Sequence, residues 1–172
     1  THKLAELTDA LRELPQIATL RIHTRLPVVL PARVDAEFAT WLERLDCSKV
    51  IVIHANHAQE FDAGVDSALR DLRDAGCVLL NQSVLLRGVN DSVAALADLS
   101  RRLLRSGVTP YYLHALDAVA GAAHFAVDDA RAIWLINELR QQLPGYLVPR
   151  LVREVAGAAS KIPLVVRTHA LN

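Results

Sequence analysis

Four short apolar runs are spaced along this chain, separated by segments of helical length, and each run ends in polar chemistry. Ala18-Thr19-Leu20-Arg21-Ile22 leads into His23-Thr24-Arg25, and Val50-Ile51-Val52-Ile53 into His54-Ala55-Asn56-His57. Cys77-Val78-Leu79-Leu80 leads into Asn81-Gln82-Ser83, and Pro110-Tyr111-Tyr112-Leu113 into His114-Ala115-Leu116-Asp117. A strand, a crossover helix and a second strand in one sheet give parallel strands. Parallel strands turn all their carboxyl ends to one edge, where barrel and open α/β enzymes build their sites. The fold class is therefore expected to be α/β, with strands near 18–24, 49–54, 77–84 and 108–114. Four strands cannot close a barrel. Either the sheet is open, or strands outside this chain complete it. The edge before the first strand should then be open and apolar, which favours self-association.

Local signals place the connecting elements. Leu4, Leu7, Leu11 and Leu14 recur at helical spacing up to Pro15. Pro27 and Pro31 bracket a segment expected to be extended. Val34 to Leu45 reads as a helix with Asp35 as its cap and Phe38, Trp41, Leu42 and Leu45 on one face. Ala63 to Ala75 follows, with Val65, Leu69 and Leu72 inward and Gly76 at its end. A helix capped by Asp91 or Ser92 runs to about Ser106, with Gly107 as its stop. Gly121 to Phe125 is loop and Asp128 to Leu143 helix. Tyr146 to Val152 and Ile162 to Val166 are short extended runs.

Composition excludes several function classes. At 172 residues one domain is expected, and 19 basic residues balance 19 acidic ones. That gives no electrostatic case for nucleic acid or for an anionic membrane surface. No apolar stretch is long enough to span a bilayer. Cys47 and Cys77 are too few for a disulfide scaffold and fit no local metal motif. Both read as small buried hydrophobes in a cytoplasmic protein. A chain that begins at Thr1 and contains no Met fits a processed chain or a piece of something longer.

The polar residues each have a bland reading beside the chemical one. His54, Asn56 and His57 are close enough in sequence to hold a metal or an anion, but no third ligand stands at a zinc spacing. Gln82 needs partners that either a ligand or the backbone can supply. Asp117 can neutralise an ammonium or act as a base, and can equally form a turn. Lys161 follows Ala156-Gly157-Ala158-Ala159-Ser160 and precedes an apolar run. That setting suits either a desolvated nucleophilic amine or a solvated loop lysine. Arg87-Gly88 lacks a glycine-rich phosphate consensus and reads as a turn.

Taken in order, the strings resemble one family. Leu20 to Val29, Ile53 to His57, Asn81 to Asp91, Pro110 to Asp117, Gly121 to Phe125 and Leu143 to Arg150 are similar to segments of the lysine 2,3-aminomutases. The His-Ala-Leu-Asp and Gly-Ala-Ala-His-Phe strings resemble the subgroup that makes (R)-β-lysine for elongation factor P. The resemblance implies a radical S-adenosylmethionine enzyme with pyridoxal phosphate, a 4Fe–4S cluster and lysine as substrate. It implies a partial parallel (β/α) barrel, the C-terminal half of a TIM-like barrel, over 1–145, followed by a pyridoxal-phosphate lysine segment over 146–172. By the same resemblance Lys161 is the pyridoxal-phosphate lysine, and Asp117 and Glu154 hold the substrate's distal ammonium. Glu154 stands where the family usually has Asp. His57, Gln82, His23 and Arg25 belong to the adenosylmethionine face.

One departure matters most. Such enzymes bind their cluster through a Cys-x3-Cys-x2-Cys loop, and this chain has no such loop. The expectation is an aminomutase portion that is inactive alone. The alternative is a non-catalytic half-barrel that binds a cofactor or a partner. A different α/β enzyme sharing only barrel ancestry is a third reading.

Overall fold

The computed structural model describes residues 2–11, 14 and 16–165. Pro15, where the first helix was expected to stop, and Val166, the end of the last extended run, lie outside the described residues. The four expected strands are present as β1 (Thr19–Thr24), β2 (Ser48–His54), β3 (Cys77–Val84) and β4 (Thr109–His114). They pair in chain order and in parallel, and two more strands extend the same sheet. β5 (Arg150–Arg153) adds parallel to β4, and β6 (Ile162–Pro163) adds antiparallel to β5. The sheet is open.

The helices are α1 (His2–Leu11), α2 (Leu26–Val29), α3 (Ala36–Glu43), α4 (Ala63–Asp74), α5 (Val93–Arg105) and α6 (Asp129–Gln142). Side-chain caps start four of them. Asp35, Asp62, Ser92 and Asp128 accept from the backbone N–H of Phe38, Val65, Ala95 and Arg131 respectively. Ser92, not Asp91, caps α5. The Asp91 carboxylate is taken by the N–H of Gly88 in the preceding turn.

Two local expectations are corrected. Residues 26–33 are not extended: α2 and a 3-10 turn at Pro31–Arg33 occupy them. Both prolines sit in the first turn of their helix, where a missing N–H costs nothing and the fixed φ suits the helix. Tyr146 lies in a 3-10 turn (Gly145–Leu147) that follows Pro144, so the strand begins only at Arg150. The leucine stripe of α1 is helical as expected, with Leu4 and Leu7 exposed and Thr8 buried. The Thr8 hydroxyl bonds back to Leu4 O and accepts from Trp41 Nε1 at 3.1 Å, tying α1 to α3.

Strand residues of one parity pack under the helices. Ile51, Ile53 and Leu79 join Leu42, Leu69, Leu72 and Leu103 in one cluster. Leu113 and Leu151 join Leu135, Ile136 and Leu139 of α6 in another. Residues of the other parity lie on a face that no described helix covers. There Val50 pairs with Val78, Val52 with Leu80, and His54 with Gln82. Val78 is 57% exposed, so this face is open. Parallel sheets are ordinarily covered on both faces. Among the described strands β1 has a neighbour on one side only. On this open edge Thr19, Arg21 and His23 are exposed, while Leu20, Ile22 and Thr24 are half-buried. Cys77 is buried, and burial pushes its thiol pKa up; Cys47 is only half-buried.

Candidate functional site

The carboxyl ends of the strands collect the unusual polar residues on the open face. His54 Nδ1 lies 3.3 Å from Gln82 Nε2, one strand across. The His23 ring stands edge-on to His54 with centroids 6.4 Å apart. On the other side, Tyr112 and His114 meet edge-on at 5.7 Å. His114 Nδ1 is 3.7 Å from Glu154 Oε1, just past β5. Glu154 is in direct ion-pair contact with Lys161, just before β6. The Lys161 Nζ lies 5.5 Å from the Tyr112 ring centroid. The result is a band His23–His54–Gln82–Tyr112–His114–Glu154–Lys161 across five strands.

Asparagines set the ends of β2 and β3, and two of them, Asn81 and Asn90, are buried. Asn81 Oδ1 accepts from Ala55 N–H, and its Nδ2 donates to Ala55 O and Ser83 Oγ. Asn56 Oδ1 accepts from Val84 N–H at 2.8 Å. Asn90 closes the loop after β3, bonding Leu86 N, Asn56 O and Val84 O. These bonds replace the ladder where the strands end, because buried backbone groups must find partners. A register shift between Asn81 and Gln82 in the β3–β4 pairing lies beside adjacent Tyr111 and Tyr112. Their hydroxyls share a 3.1 Å hydrogen bond.

The charge states follow from burial and neighbours. His23, His54 and His114 all have pKa values below the ordinary histidine value, with burial the first cause in each. All three imidazoles are therefore neutral near pH 7. Glu154 is held below the usual carboxylate range, first by its hydrogen bond to Lys161. Among the described residues, two buried side-chain polar atoms have no hydrogen-bond partner: Gln82 Oε1 and His114 Nε2. Such an atom costs about 1–3 kcal/mol unless something pairs with it.

The residues singled out from sequence divide accordingly. Gln82, His23, Glu154 and Lys161 come together in the band. Arg25 stands exposed at the start of α2, and its charge lowers the proton affinity of His54. Asp117 is exposed in the loop after β4 and reaches the band only as a charge felt at His114. His57 serves as a cap: its Nδ1 accepts from Gln59 N–H, while Glu60 Oε1 accepts from His57 N–H. The His54, Asn56 and His57 trio is thus split between the site and two structural bonds. Sequence reasoning left Tyr112 and His114 without a role. Their signal was their parity, which they share with Gln82 across the register.

The implied cofactors fit unequally. A half-buried primary amine in the same band as two unpartnered polar atoms fits a group that binds lysine and brings hydrogen-bonding atoms. An iron–sulfur cluster does not fit. Cys77 opens β3 and Cys47 precedes β2, which puts both thiols at the amino edge, opposite the histidines.

No protein-family model matches the chain. It is 48% identical over 163 residues to an L-lysine 2,3-aminomutase of Escherichia coli, across 95% of this chain and 48% of that relative. Identity is 46% to the Haemophilus influenzae protein of that name, across 93% of this chain and 47% of that relative. It is 38% to the one of Clostridium subterminale, across 90% and 37%. Nearly the whole chain is similar to these lysine 2,3-aminomutases. It spans about half the length, or less, of these relatives. Its fold is also that of part of a radical SAM methyltransferase from Sphaerobacter thermophilus, with a TM-score of 0.51 at 20% identity over 77% of this chain and 40% of that one. In this family context, the band lies on the face of an incomplete barrel.

Proposed function

We propose that this chain is the part of a lysine 2,3-aminomutase that carries the pyridoxal-phosphate lysine and the acids for the substrate's ammonium. The whole enzyme is an isomerase converting L-lysine to (R)-β-lysine, which serves the modification of elongation factor P in the cytoplasm. One observation carries the reading. Lys161 and Glu154 meet beside His114 at the carboxyl edge of a sheet whose sequence is 48% identical to the Escherichia coli aminomutase.

Lys161 would hold pyridoxal phosphate through Nζ. When bound, that group supplies an electron sink next to the reacting nitrogen. Glu154 and Asp117 offer the carboxylates for the distal ammonium. Neutral His23 and Gln82, with Arg25 and His57 at the rim, make the face for S-adenosylmethionine. The unpartnered Gln82 Oε1 accepts from a ligand donor there. The 4Fe–4S cluster must find its thiolates outside these residues, so this chain by itself does not turn over lysine. That same lack favours the second reading for the isolated chain, a half-barrel that binds without catalysis.

The test is chemical labelling. The chain is mixed with pyridoxal phosphate, fixed with borohydride and digested, and the adduct is located by mass spectrometry. Lys161 should carry it, and Lys161→Ala should lose it. Lys49 is a poor competitor because its Nζ already donates to Leu42 O at 3.1 Å. Equal labelling of Lys3, Lys49 and Lys161 would refute the assignment.

A further inference from the structure

A second polar cluster lies in the helix layer, at the amino edge of the sheet and away from the histidine band. α4 and α5 end at Asp74 and Arg105, just before β3 and β4 begin. Their C-terminal halves share a cavity of about 460 Å³ lined by Asp66, Arg70, Arg73, Arg102, Arg105 and Ser106. Part of its wall is fixed by bonds within the protein. Arg102 grips Asp66 with both terminal nitrogens, at 2.9 and 2.7 Å, and lies 5.0 Å from the Phe61 ring centroid. Buried Ser106 donates from Oγ to Asp66 Oδ1 at 2.8 Å. Arg73 reaches over the turn after α5, with Nη1 3.5 Å from Ser106 O. Gly107 leaves room for it: its φ is +72°, and a Cβ there would collide with the Arg73 guanidinium. Among the described residues, the Arg70 and Arg105 side chains have neither a hydrogen bond nor an ion pair.

Four guanidinium groups are more than the local negative charge needs. The C-termini of two helices bring roughly one elementary charge between them, and Asp66 adds one more. About half of the positive charge at this cavity is left without a counter-charge. Asp66 already occupies Arg102, so the surplus sits on Arg70, Arg73 and Arg105. Guanidinium groups match the oxygens of a phosphate in pairs of parallel hydrogen bonds, which a strongly hydrated ammonium does not. We propose that the cavity between α4 and α5 binds a phosphate group, as the free ion or as the end of a small phosphate ester. Arg70, Arg73 and Arg105 are its ligands. The Arg102–Asp66–Ser106 unit is the wall beside it, and Asp66 keeps the anion from Arg102. The site stands at the opposite edge of the sheet from Lys161, and it does not rest on the proposed function.

The experiment titrates the chain with inorganic phosphate and with glycerol 3-phosphate by isothermal calorimetry, at constant ionic strength in chloride, with glycerol as the uncharged control. Saturable binding of at least one phosphate compound is expected, and none of glycerol. Tighter binding of the ester would identify a phosphate ester as the occupant, and equal or tighter binding of inorganic phosphate would identify the free ion. Arg70→Gln and Arg105→Gln should each weaken binding roughly tenfold, the worth of one charge-assisted hydrogen bond. Both side chains are exposed, so the fold should survive, and far-UV circular dichroism checks that it does. Arg101→Gln is the control. Arg101 is on the same helix but pairs with Asp98 at 3.5 Å and does not line the cavity, so its loss should leave binding unchanged. No saturable binding of either phosphate compound up to about 10 mM would overturn the proposal. So would equal weakening by Arg101→Gln, or full binding by the Arg70→Gln, Arg105→Gln double variant.

Discussion

Asn90→Ala is the substitution that most directly tests how the carboxyl edge is built. Asn90 is 0% exposed and spends its whole amide on main chain. Its Oδ1 accepts from Leu86 N–H at 2.8 Å, and its Nδ2 donates to Asn56 O and Val84 O, each at 2.9 Å. Alanine removes all three bonds and offers no substitute. A net hydrogen bond is worth about 0.5–1.5 kcal/mol, and a buried group left unpaired costs about 1–3 kcal/mol. The Leu86 amide loses its acceptor outright, while the two carbonyls each lose a donor. The expected loss is about 3–5 kcal/mol, a large share of the roughly 5–15 kcal/mol that holds a domain of this kind folded. Urea unfolding followed by far-UV circular dichroism should show a lower midpoint at an unchanged slope. Hydrogen exchange at Leu86 should accelerate. Asn56 and Val84 each lie two residues beyond His54 and Gln82, so the 3.3 Å contact between those side chains should loosen as well. A loss under about 1 kcal/mol, with the Leu86 amide still protected, would refute the claim that Asn90 closes this edge.

Two other expectations follow from the same structure. His23, His54 and His114 bind protons less readily in the folded chain than in the unfolded one. Below the ordinary value of 6.5 the unfolded chain therefore binds more protons, and stability should fall as pH drops through and below 6.5. Asp66 and Glu154 are held down by Arg102 and Lys161, so their stabilisation is present above the ordinary carboxylate range and is lost at lower pH still. Urea midpoints between pH 7.5 and 5 should decline steadily, and a flat profile would contradict the burial argument. The uncovered sheet face, with Val78 57% exposed, should drive self-association at high concentration, and Val78→Lys should reduce it by light scattering. A wild-type chain that stays monomeric would count against that.

Much of the architecture was legible in the linear chain because its signals are local. Short apolar runs and helical stripes depend on neighbours a few residues away. So do the caps Asp35, Asp128 and Ser92, each of which reaches a backbone N–H three residues on. Segments with two local solutions were read less well. A proline-bracketed stretch can be extended or can start helical turns, and residues 26–33 took the second course because proline suits a first helical turn. The leucine stripe of α1 shows the limit of periodicity. It announces a helix, but not that anything will cover it.

The site itself divides along the same line. Resemblance in short strings pointed to Lys161, Glu154 and Gln82, because each stands in a recognisable local context. Only the tertiary structure could bring Tyr112, His114, Glu154 and Lys161 together, or turn Asn81 and Asn90 into the clasp of two strand ends. Gln82 meets His54 across 28 residues of chain, and Asn90 reaches Asn56 across 34. Such meetings depend on strand register and on the shift at Asn81 and Gln82, which no short window of sequence records. The residue types and their order along the chain determined which elements would form. Parallel pairing of distant strands decided which polar groups would face one another, because a side chain's partners are set by the strand beside it.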